Sequence, residues 1–254
     1  MAQAHKKDNT NRLLSALPLD YQQEMAAGLE KVSLGLRSVV YETRKPIEFV
    51  YFPLTGVLSM LADMEEENLV EVATVGNEGM IGLPLFLGAT QTPGICFSQV
   101  PGESLRMKAD LFRRLTREGG PLARLLHRYT QALMVQISQG MACNRVHSLG
   151  QRCARWLLMT HDRVNADEFQ LTQEFLGQML GVRRATVNEI ATRFQEMSLI
   201  SYTRGHIRIL NRKGLESEIC HCYWVIREEY DRMLADQGAE KRYGGLTLTP
   251  KRRK

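Results

Sequence analysis

Residues 173–192 read QEFLGQMLGVRRATVNEIAT, and this stretch decides how the C-terminal part of the chain folds. Gly177 is small where two helices would cross closely, Gly181 permits a positive φ at a turn, and Val187 offers a side chain for burial in the second helix. The apolar residues that would set the crossing are Leu176, Leu180, Ile190 and Phe194. The spacing therefore predicts a helix-turn-helix motif.

Two β-prone runs follow this motif, at residues 199–202 and 206–210. The residues between them, Thr203-Arg204-Gly205, favour a tight hairpin whose strands alternate their faces. A helix-turn-helix followed by such a hairpin predicts a winged helix.

A winged helix predicts contact with double-stranded DNA, because the N-terminal part of its second helix fits the major groove. We expect Arg184 to contact a guanine through two hydrogen bonds. The start of the first helix and the wing suit phosphates. The predicted DNA-contacting residues are Thr172, Gln173, Arg183, Arg184, Thr186, Asn188, Arg204 and His206. The alternative for each of them is a solvated surface residue.

The distribution of charge supports a polyanionic partner for the same part of the chain. The 254 residues carry a formal net charge of +5, and their number corresponds to one large or two ordinary domains. Residues 1–149 hold 15 basic and 15 acidic side chains, whereas residues 150–254 hold 18 and 13. The excess of positive charge therefore lies in the C-terminal part, beside a neutral N-terminal part.

A long helix is predicted immediately before this basic part. Pro121 follows Gly119-Gly120 and suits the first position of a helix. Apolar side chains then recur at steps of three or four residues. We expect two copies of this helix to form a dimer interface, and the alternative is packing against the protein's own β domain. The predicted interface residues are Leu126, Tyr129, Leu133, Ile137 and Met141. A second helix is expected from Leu149 to His161, and a polar link from Asp162 to Glu168.

The N-terminal part shows a different pattern. An arm is expected up to Asp20, and residues 21–29 favour a short amphipathic helix. Short β-prone runs separated by Pro, Gly or acidic clusters then follow at intervals of roughly ten residues, which predicts an antiparallel barrel or roll. These runs are residues 39–41, 49–52, 56–61, 69–75, 95–100 and 103–107.

Together these features resemble the Crp/Fnr family of bacterial transcription regulators. The specific stretches are LTQEFLGQMLGVRRATV (171–187), SLISYTRGHIRILNR (198–212) and VATVGNEGMIGL (72–83). The resemblance implies an α+β chain with a cyclic-nucleotide-binding-like jelly roll, a dimerisation helix and a winged helix-turn-helix. It also implies a homodimer on a two-fold symmetric operator with half-sites about 34 Å apart, and RNA polymerase as a further candidate partner. The expected divisions are an arm (1–20), a sensory β-roll (21–118), the dimerisation helix (119–148), the DNA-binding domain (149–236) and a basic tail (237–254).

The expected effector pocket departs from the family's cyclic-nucleotide site. Gly82, Leu83 and Thr92 occupy the corresponding stretch, and no charged residue lies between Glu78 and Glu103. A buried cyclic phosphate would therefore lack its neutralising cation. We expect no binding of cyclic AMP in the usual way, and either an unknown small-molecule effector or none. The alternative function is a nucleotide-sensing module whose winged helix contacts protein rather than DNA.

No cofactor, metal or catalytic activity is expected. No cysteine precedes Cys96, which argues against the family's N-terminal iron–sulfur sensor, and scattered His and Cys residues give no spacing for haem. We expect Cys220 and Cys222 to lie on one helix over residues 213–234, where their thiols would diverge. No His lies between His5 and His127, so a cupin-type metal enzyme is disfavoured, and no phosphate loop or nucleophile elbow is present.

The cysteines and the N-terminal residues indicate the cellular compartment of the protein. The sequence begins with the polar stretch MAQAHKKDNTNR, which offers no apolar leader, and it holds five cysteines. We therefore expect a cytoplasmic, reducing environment. The longest uncharged stretch, residues 79–102, is interrupted by Gly and Pro, so no membrane span is expected.

Overall fold

The computed structural model describes residues 9–64, 68–117, 119–164 and 166–235. Its elements form a β-rich N-terminal domain, a long helix and a C-terminal helix-turn-helix domain, which confirms the expected α+β class. The predicted basic tail lies outside the described residues. Among the helices described, none is long and apolar enough to cross a membrane.

The N-terminal domain is a roll of two antiparallel sheets. One sheet has the strand order β1-β7-β3 and the other β2-β6-β4-β5. The strands are β1 (Glu30–Leu34), β2 (Val39–Tyr41), β3 (Phe49–Pro53), β4 (Val57–Met64), β5 (Asn68–Val75), β6 (Gly94–Val100) and β7 (Gly102–Lys108). Strands β2 to β7 lie where the β-prone runs predicted them. Strand β1 was not predicted, because it is an edge strand that pairs only with β7 and buries little apolar surface.

The segment expected to be an arm is instead part of the core. It contains α1 (Arg12–Ser15) and is followed by α2 (Leu19–Ala26), and Leu13 and Leu17 are buried against the roll. The side-chain amide of Asn11 donates to the carbonyl oxygens of Pro53 and Gly79, both at 2.9 Å. Over residues 9–20 the prediction of an arm is therefore wrong, because apolar side chains at helical spacing anchor this segment to the β-sheets.

Two short helices complete the roll, and the long helix follows. These are α3 (Leu83–Phe86), α4 (Ala109–Arg117) and α5 (Pro121–Val146), so the predicted long helix is present. The Tyr129 hydroxyl donates to the Met80 carbonyl at 2.8 Å, and its ring packs where a Cβ on Gly79 would come within 2.6 Å. Leu126 and Leu133 are buried on the same face of α5.

The face of α5 that was predicted to meet a partner helix therefore faces the protein's own roll. Leu126, Tyr129 and Leu133 are wrong as dimer-interface residues, because their side chains are fully enclosed within one chain. Ile137 is partly buried at the edge of this face, and Met141 is exposed. The apolar stripe in the sequence marks packing against the roll, which was the alternative considered for it.

In the described part of the C-terminal domain, six of the helices and strands follow the predicted order, and two others were not predicted. Its elements are α6 (Leu149–Arg163), β8 (Glu168–Gln170), α7 (Gln173–Leu180), α8 (Arg184–Glu196), β9 (Ile200–Thr203), β10 (His206–Ile209), α9 (Arg212–Ser217) and α10 (Cys222–Ala235). Strand β8 starts at the end of the predicted polar link and extends the hairpin into a sheet of order β8-β10-β9. The single helix expected over residues 213–234 is divided into α9 and α10 by a non-helical break at residues 218–221.

A buried polar network fastens the C-terminal domain to the roll. Arg163, the last residue of α6, forms an ion pair with Glu78 in which both side chains are buried. The same guanidinium donates to the hydroxyl of Thr74 at 2.6 Å. Gln136 on α5 donates to the Thr74 carbonyl at 2.9 Å and accepts from Arg163 at 3.3 Å. The roll, the long helix and the C-terminal domain therefore share one set of hydrogen bonds.

Candidate nucleic-acid interface

The turn between α7 and α8 has the geometry that its glycines predicted. Gly181 ends α7 with φ 68°, a conformation that costs most side chains energy. A Cβ on Gly177 would lie 2.8 Å from the carbonyl oxygen of Val182, so the close approach of the two helices leaves no room for a side chain. Val187, on α8, has a buried side chain. The three scaffold residues therefore hold α8 at a defined angle to α7.

The N-terminal part of α8 presents its polar side chains outward. Arg183 is the N-cap residue and Arg184 the first helical residue, and both side chains are exposed. Asn188 lies one turn further along the same face, and Thr186 is half-buried at its side. Within the described part of the chain, Arg183 and Arg184 make no ion pair. Their positive charge is therefore open to an external anion.

A groove between α7, α8 and the wing brings four of the predicted residues together: Thr172, Gln173, Arg184 and Arg204. Thr172 caps α7, because its hydroxyl accepts from the Phe175 backbone N–H at 3.1 Å. The Gln173 amide donates to the Asn188 side-chain oxygen at 2.9 Å, which links the start of α7 to the exposed face of α8. Glu174 is the acidic residue in the lining of this groove.

The wing ends in a two-residue turn that points an arginine outward. Arg204 has φ 50° and Gly205 has φ 78°, which is the type I′ pattern that suits a two-residue hairpin loop. Arg204 lies at the tip and makes no ion pair among the described residues. A cation at the tip of a wing is well placed for a phosphate.

His206 lies in a less favourable setting than was predicted. Its Nδ1 atom is 3.7 Å from the carboxylate of Glu168 on β8, and Arg208 forms an ion pair with the same carboxylate. The negative charge of Glu168 would repel a phosphate at this position. Strand β8 was not predicted, so the position of an acidic residue beside His206 could not be inferred from local sequence.

Two further residues belong to this surface and were not identified from the sequence. Tyr202 lines the groove, its hydroxyl donates to the Leu171 carbonyl at 2.7 Å, and burial raises its pKa to about 12. Thr192 is exposed on α8 four residues after Asn188. The helical spacing of Thr192 from Asn188 was the available signal, whereas Tyr202 needed the fold of the wing.

The predicted effector pocket has only partial support from the geometry. Leu83 is buried in the core of the roll, so it is wrong as a ligand-facing residue. Gly82 has φ 101°, and a Cβ there would lie 2.8 Å from a Val50 methyl carbon. Thr92 is half-exposed in the loop before β6, where its carbonyl accepts from the Arg44 backbone N–H at 2.8 Å. Gly82 and Thr92 stay predictions.

Comparison with known proteins agrees with this geometry. Residues 151–218 match the family model of the Crp-like helix-turn-helix domain. No curated protein sequence matches the chain. FixK2 of Bradyrhizobium japonicum shares the fold with a TM-score of 0.64 and 17% identity, covering 76% of this chain and 98% of its own.

Two other solved structures give the same result. A CRP-family regulator of Thermus thermophilus has a TM-score of 0.61 at 14% identity, over 74% of this chain and 95% of its own. A Crp/Fnr-family regulator of Eubacterium rectale has a TM-score of 0.59 at 18% identity, over 81% of this chain and 96% of its own. At these identities the structures show a common fold. Residues 151–218 are therefore a Crp-like helix-turn-helix domain, carried on the fold of the Crp/Fnr transcriptional regulators.

Proposed function

We propose that the protein is a cytoplasmic, sequence-specific DNA-binding transcription regulator and not an enzyme. The observation that carries this proposal is the set of unpaired arginines around the recognition helix. Arg184 at the start of α8 and Arg204 at the tip of the wing line one groove, and Arg183, the exposed N-cap residue of α8, precedes Arg184. This arrangement suits one arginine in the major groove and others on flanking phosphates.

We propose further that the protein binds a two-fold symmetric operator as a homodimer, through the exposed face of α5. Met134 and Met141 are 59% and 70% exposed on α5, beside the face that packs on the roll, and Met141 borders a cleft against β5. Ser138 lies between them and Arg145 continues the line, so the steps of four, three and four residues follow a coiled-coil seam. A second copy of α5 is the partner that would cover this seam, with Met141 as the member predicted from the sequence.

The roll would act as the sensor, with an effector that is not cyclic AMP in its usual binding mode. Its segment from residue 79 to residue 102 has no charged side chain, and Leu83 within it is buried in the core. A cyclic phosphate bound there would have no cation to neutralise it.

The proposal is tested by selecting duplex DNA from a random pool with the purified chain, in the presence and absence of cyclic nucleotides. We expect a palindromic motif whose half-sites are about one helical turn apart, enriched equally in both conditions. Affinity for that motif should fall steeply with salt, because each neutralised phosphate releases counterions. The absence of an enriched motif, or binding that does not respond to salt, would favour the rival in which the winged helix contacts a protein.

A further inference from the structure

Four side chains with metal-binding donors converge where the long helix meets the last helix of the DNA-binding domain. They are Cys143 and His147 at the end of α5, Cys220 before α10, and Cys222 at its first residue. The sulfur atoms of Cys143 and Cys220 are 3.5 Å apart, and the Cys222 sulfur is 3.6 Å from Nδ1 of His147. All four donor atoms lie within 4.8 Å of one another.

The fold brings these residues together in two ways. Cys143 and His147 are four residues apart on α5, so their side chains share one face of the helix. Cys220 lies in the break between α9 and α10, so its thiol and that of Cys222 can turn to the same side. The expectation that these two thiols diverge is wrong, because it assumed a continuous helix. His221, between them, is exposed and is not part of the cluster.

The distances fit the edges of a tetrahedron around one metal ion. Zinc binds thiolate sulfur at about 2.3 Å and imidazole nitrogen at about 2.0–2.1 Å, so ideal edges are about 3.8 Å between sulfurs and about 3.6 Å between sulfur and nitrogen. A disulfide would join only two of the four donors and would need a sulfur separation of about 2.05 Å, much shorter than the 3.5 Å between Cys143 and Cys220. Three thiols and an imidazole are soft donors, which disfavour magnesium and calcium.

The surroundings of the four donor atoms suit a metal site that carries a net negative charge. Three thiolates, a neutral imidazole and a divalent cation carry one net negative charge. The Arg155 guanidinium lies beside Cys143, and its Nε–H is buried with no hydrogen-bond partner among the described residues. A metal-bound thiolate would accept that N–H, as the surrounding shell of a metal site commonly provides. The three cysteines are buried and His147 is half-exposed, which leaves an entry path from solvent.

We propose that Cys143, His147, Cys220 and Cys222 bind one Zn²⁺ ion per chain as a closed Cys₃His site. The ion joins the end of α5 to the start of α10, so it fixes the DNA-binding domain relative to the long helix. The site is independent of the proposed function, since metal content is measured without DNA.

The test is the metal content of the full chain, purified without chelators and analysed by inductively coupled plasma mass spectrometry. We expect one equivalent of zinc in the wild type and in Cys153→Ala, whose buried thiol lies outside the cluster. The double variant Cys220→Ser/Cys222→Ser should hold none. Replacing zinc by Co²⁺ should give the visible absorption of a tetrahedral, thiolate-bound ion.

His147→Ala keeps the proposal testable if the double variant fails to fold, because this half-exposed side chain is not part of the core. We expect it to remain folded by circular dichroism and to bind zinc at least about tenfold more weakly in a chelator competition. Wild-type protein that holds no zinc after incubation with Zn²⁺ would overturn the proposal. So would zinc retained in the double variant, or iron with inorganic sulfide in its place.

Discussion

Two arginines stand at the N-terminus of α8, where many helices carry a side chain that caps the free backbone N–H groups. Arg183 is the N-cap residue without a side-chain hydrogen bond to the helix, and Arg184 follows it. Both cations meet the positive end of the helix dipole, which lowers the stability of the free protein. A bound phosphate reverses this effect, so the local sequence suits a helix that meets DNA.

Arg184→Ala and Arg204→Ala should weaken operator binding in different ways. Arg184 faces the groove side of α8, so its loss should cost about 1–3 kcal/mol and relax the preference at one base position. Arg204 at the wing tip should weaken all sequences alike and lower the salt slope by about 1. Fluorescence anisotropy with the selected operator and its single-base variants measures both. Arg113→Ala, on the roll, is the control, and unchanged affinity in both test variants would contradict the placement of the recognition surface.

The positive φ of Gly181 at the turn between α7 and α8 should matter for the stability of the protein. Gly181→Ala should destabilise the protein by about 1–2 kcal/mol, because alanine at φ 68° is strained. Gly140→Ala is the matched control: Gly140 lies within α5 with open space around it, so alanine there should stabilise by about 0.5–1 kcal/mol. Thermal unfolding followed by circular dichroism measures both changes. Equal effects of the two substitutions would mean that the turn does not require positive φ.

The helices and strands that could be predicted from the sequence are the ones whose pattern is local. Strands β2 to β7, helix α5 and the helix-turn-helix are each signalled by periodicity, turn residues or a glycine at a fixed offset. Strands β1 and β8 are short edge strands that are formed by pairing with β7 and β10. The break at residues 218–221, EICH, contains neither Gly nor Pro, so no strong helix-breaking residue in the sequence marks the end of α9.

The candidate sites also divide into one that local sequence predicts and others that only the fold brings together. The residues of the recognition helix follow from a known local template, whereas the cluster of Cys143, His147, Cys220 and Cys222 joins segments that are 77 positions apart between Cys143 and Cys220. Its two halves are visible as Cys-x-x-x-His and Cys-x-Cys, yet nothing in the sequence alone says that they meet. The proposed dimer seam is a third case, because the apolar stripe on α5 packs on the roll and the exposed side chains proposed for the seam lie beside it.

Met134→Asp combined with Met141→Asp should convert a dimer into monomers. Both side chains are exposed on one chain, so the substitutions should leave the fold intact while placing charges in the seam between two copies of α5. Sedimentation velocity measures the oligomeric state, and thermal unfolding checks the fold. Met64→Asp, at a methionine that is 55% exposed on the roll, is the control that should stay dimeric. A dimer that survives the double substitution would place the interface elsewhere.

Across the molecule, buried and half-buried polar groups connect the roll to the C-terminal domain. Arg163 pairs with Glu78, and Glu71 on β5 accepts hydrogen bonds from Ser59 at 2.8 Å and from Trp156 of α6 at 2.9 Å. Removing one member of such a group would leave the others buried and unpaired, so the junction between β5 and α6 should be sensitive to single substitutions.

The pH dependence of stability should report on this junction through Glu71. Burial raises the pKa of Glu71 above its ordinary value of 4.5, although hydrogen bonds from Ser59 and Trp156 and the charge of Arg155 oppose the shift. A raised pKa means that the folded state holds the proton more tightly than the unfolded state. The resulting stabilisation is complete below pH 4.5 and is lost as the pH rises through the folded-state pKa.

Glu71→Gln removes this loss, because the glutamine oxygen still accepts from Trp156 and carries no charge. The melting temperature of the variant relative to wild type should therefore increase as the pH rises from about 4.5 toward neutrality and then level off. Glu30→Gln is the control of opposite sign: a hydrogen bond from Arg106 lowers the pKa of Glu30, so this substitution should become relatively more destabilising as the pH rises toward 4.5 and should change little above that pH. Differential scanning calorimetry at a series of pH values measures both differences. Parallel curves for Glu71→Gln and wild type would mean that the pKa of Glu71 is the same in the folded and unfolded states and that the junction does not respond to protons.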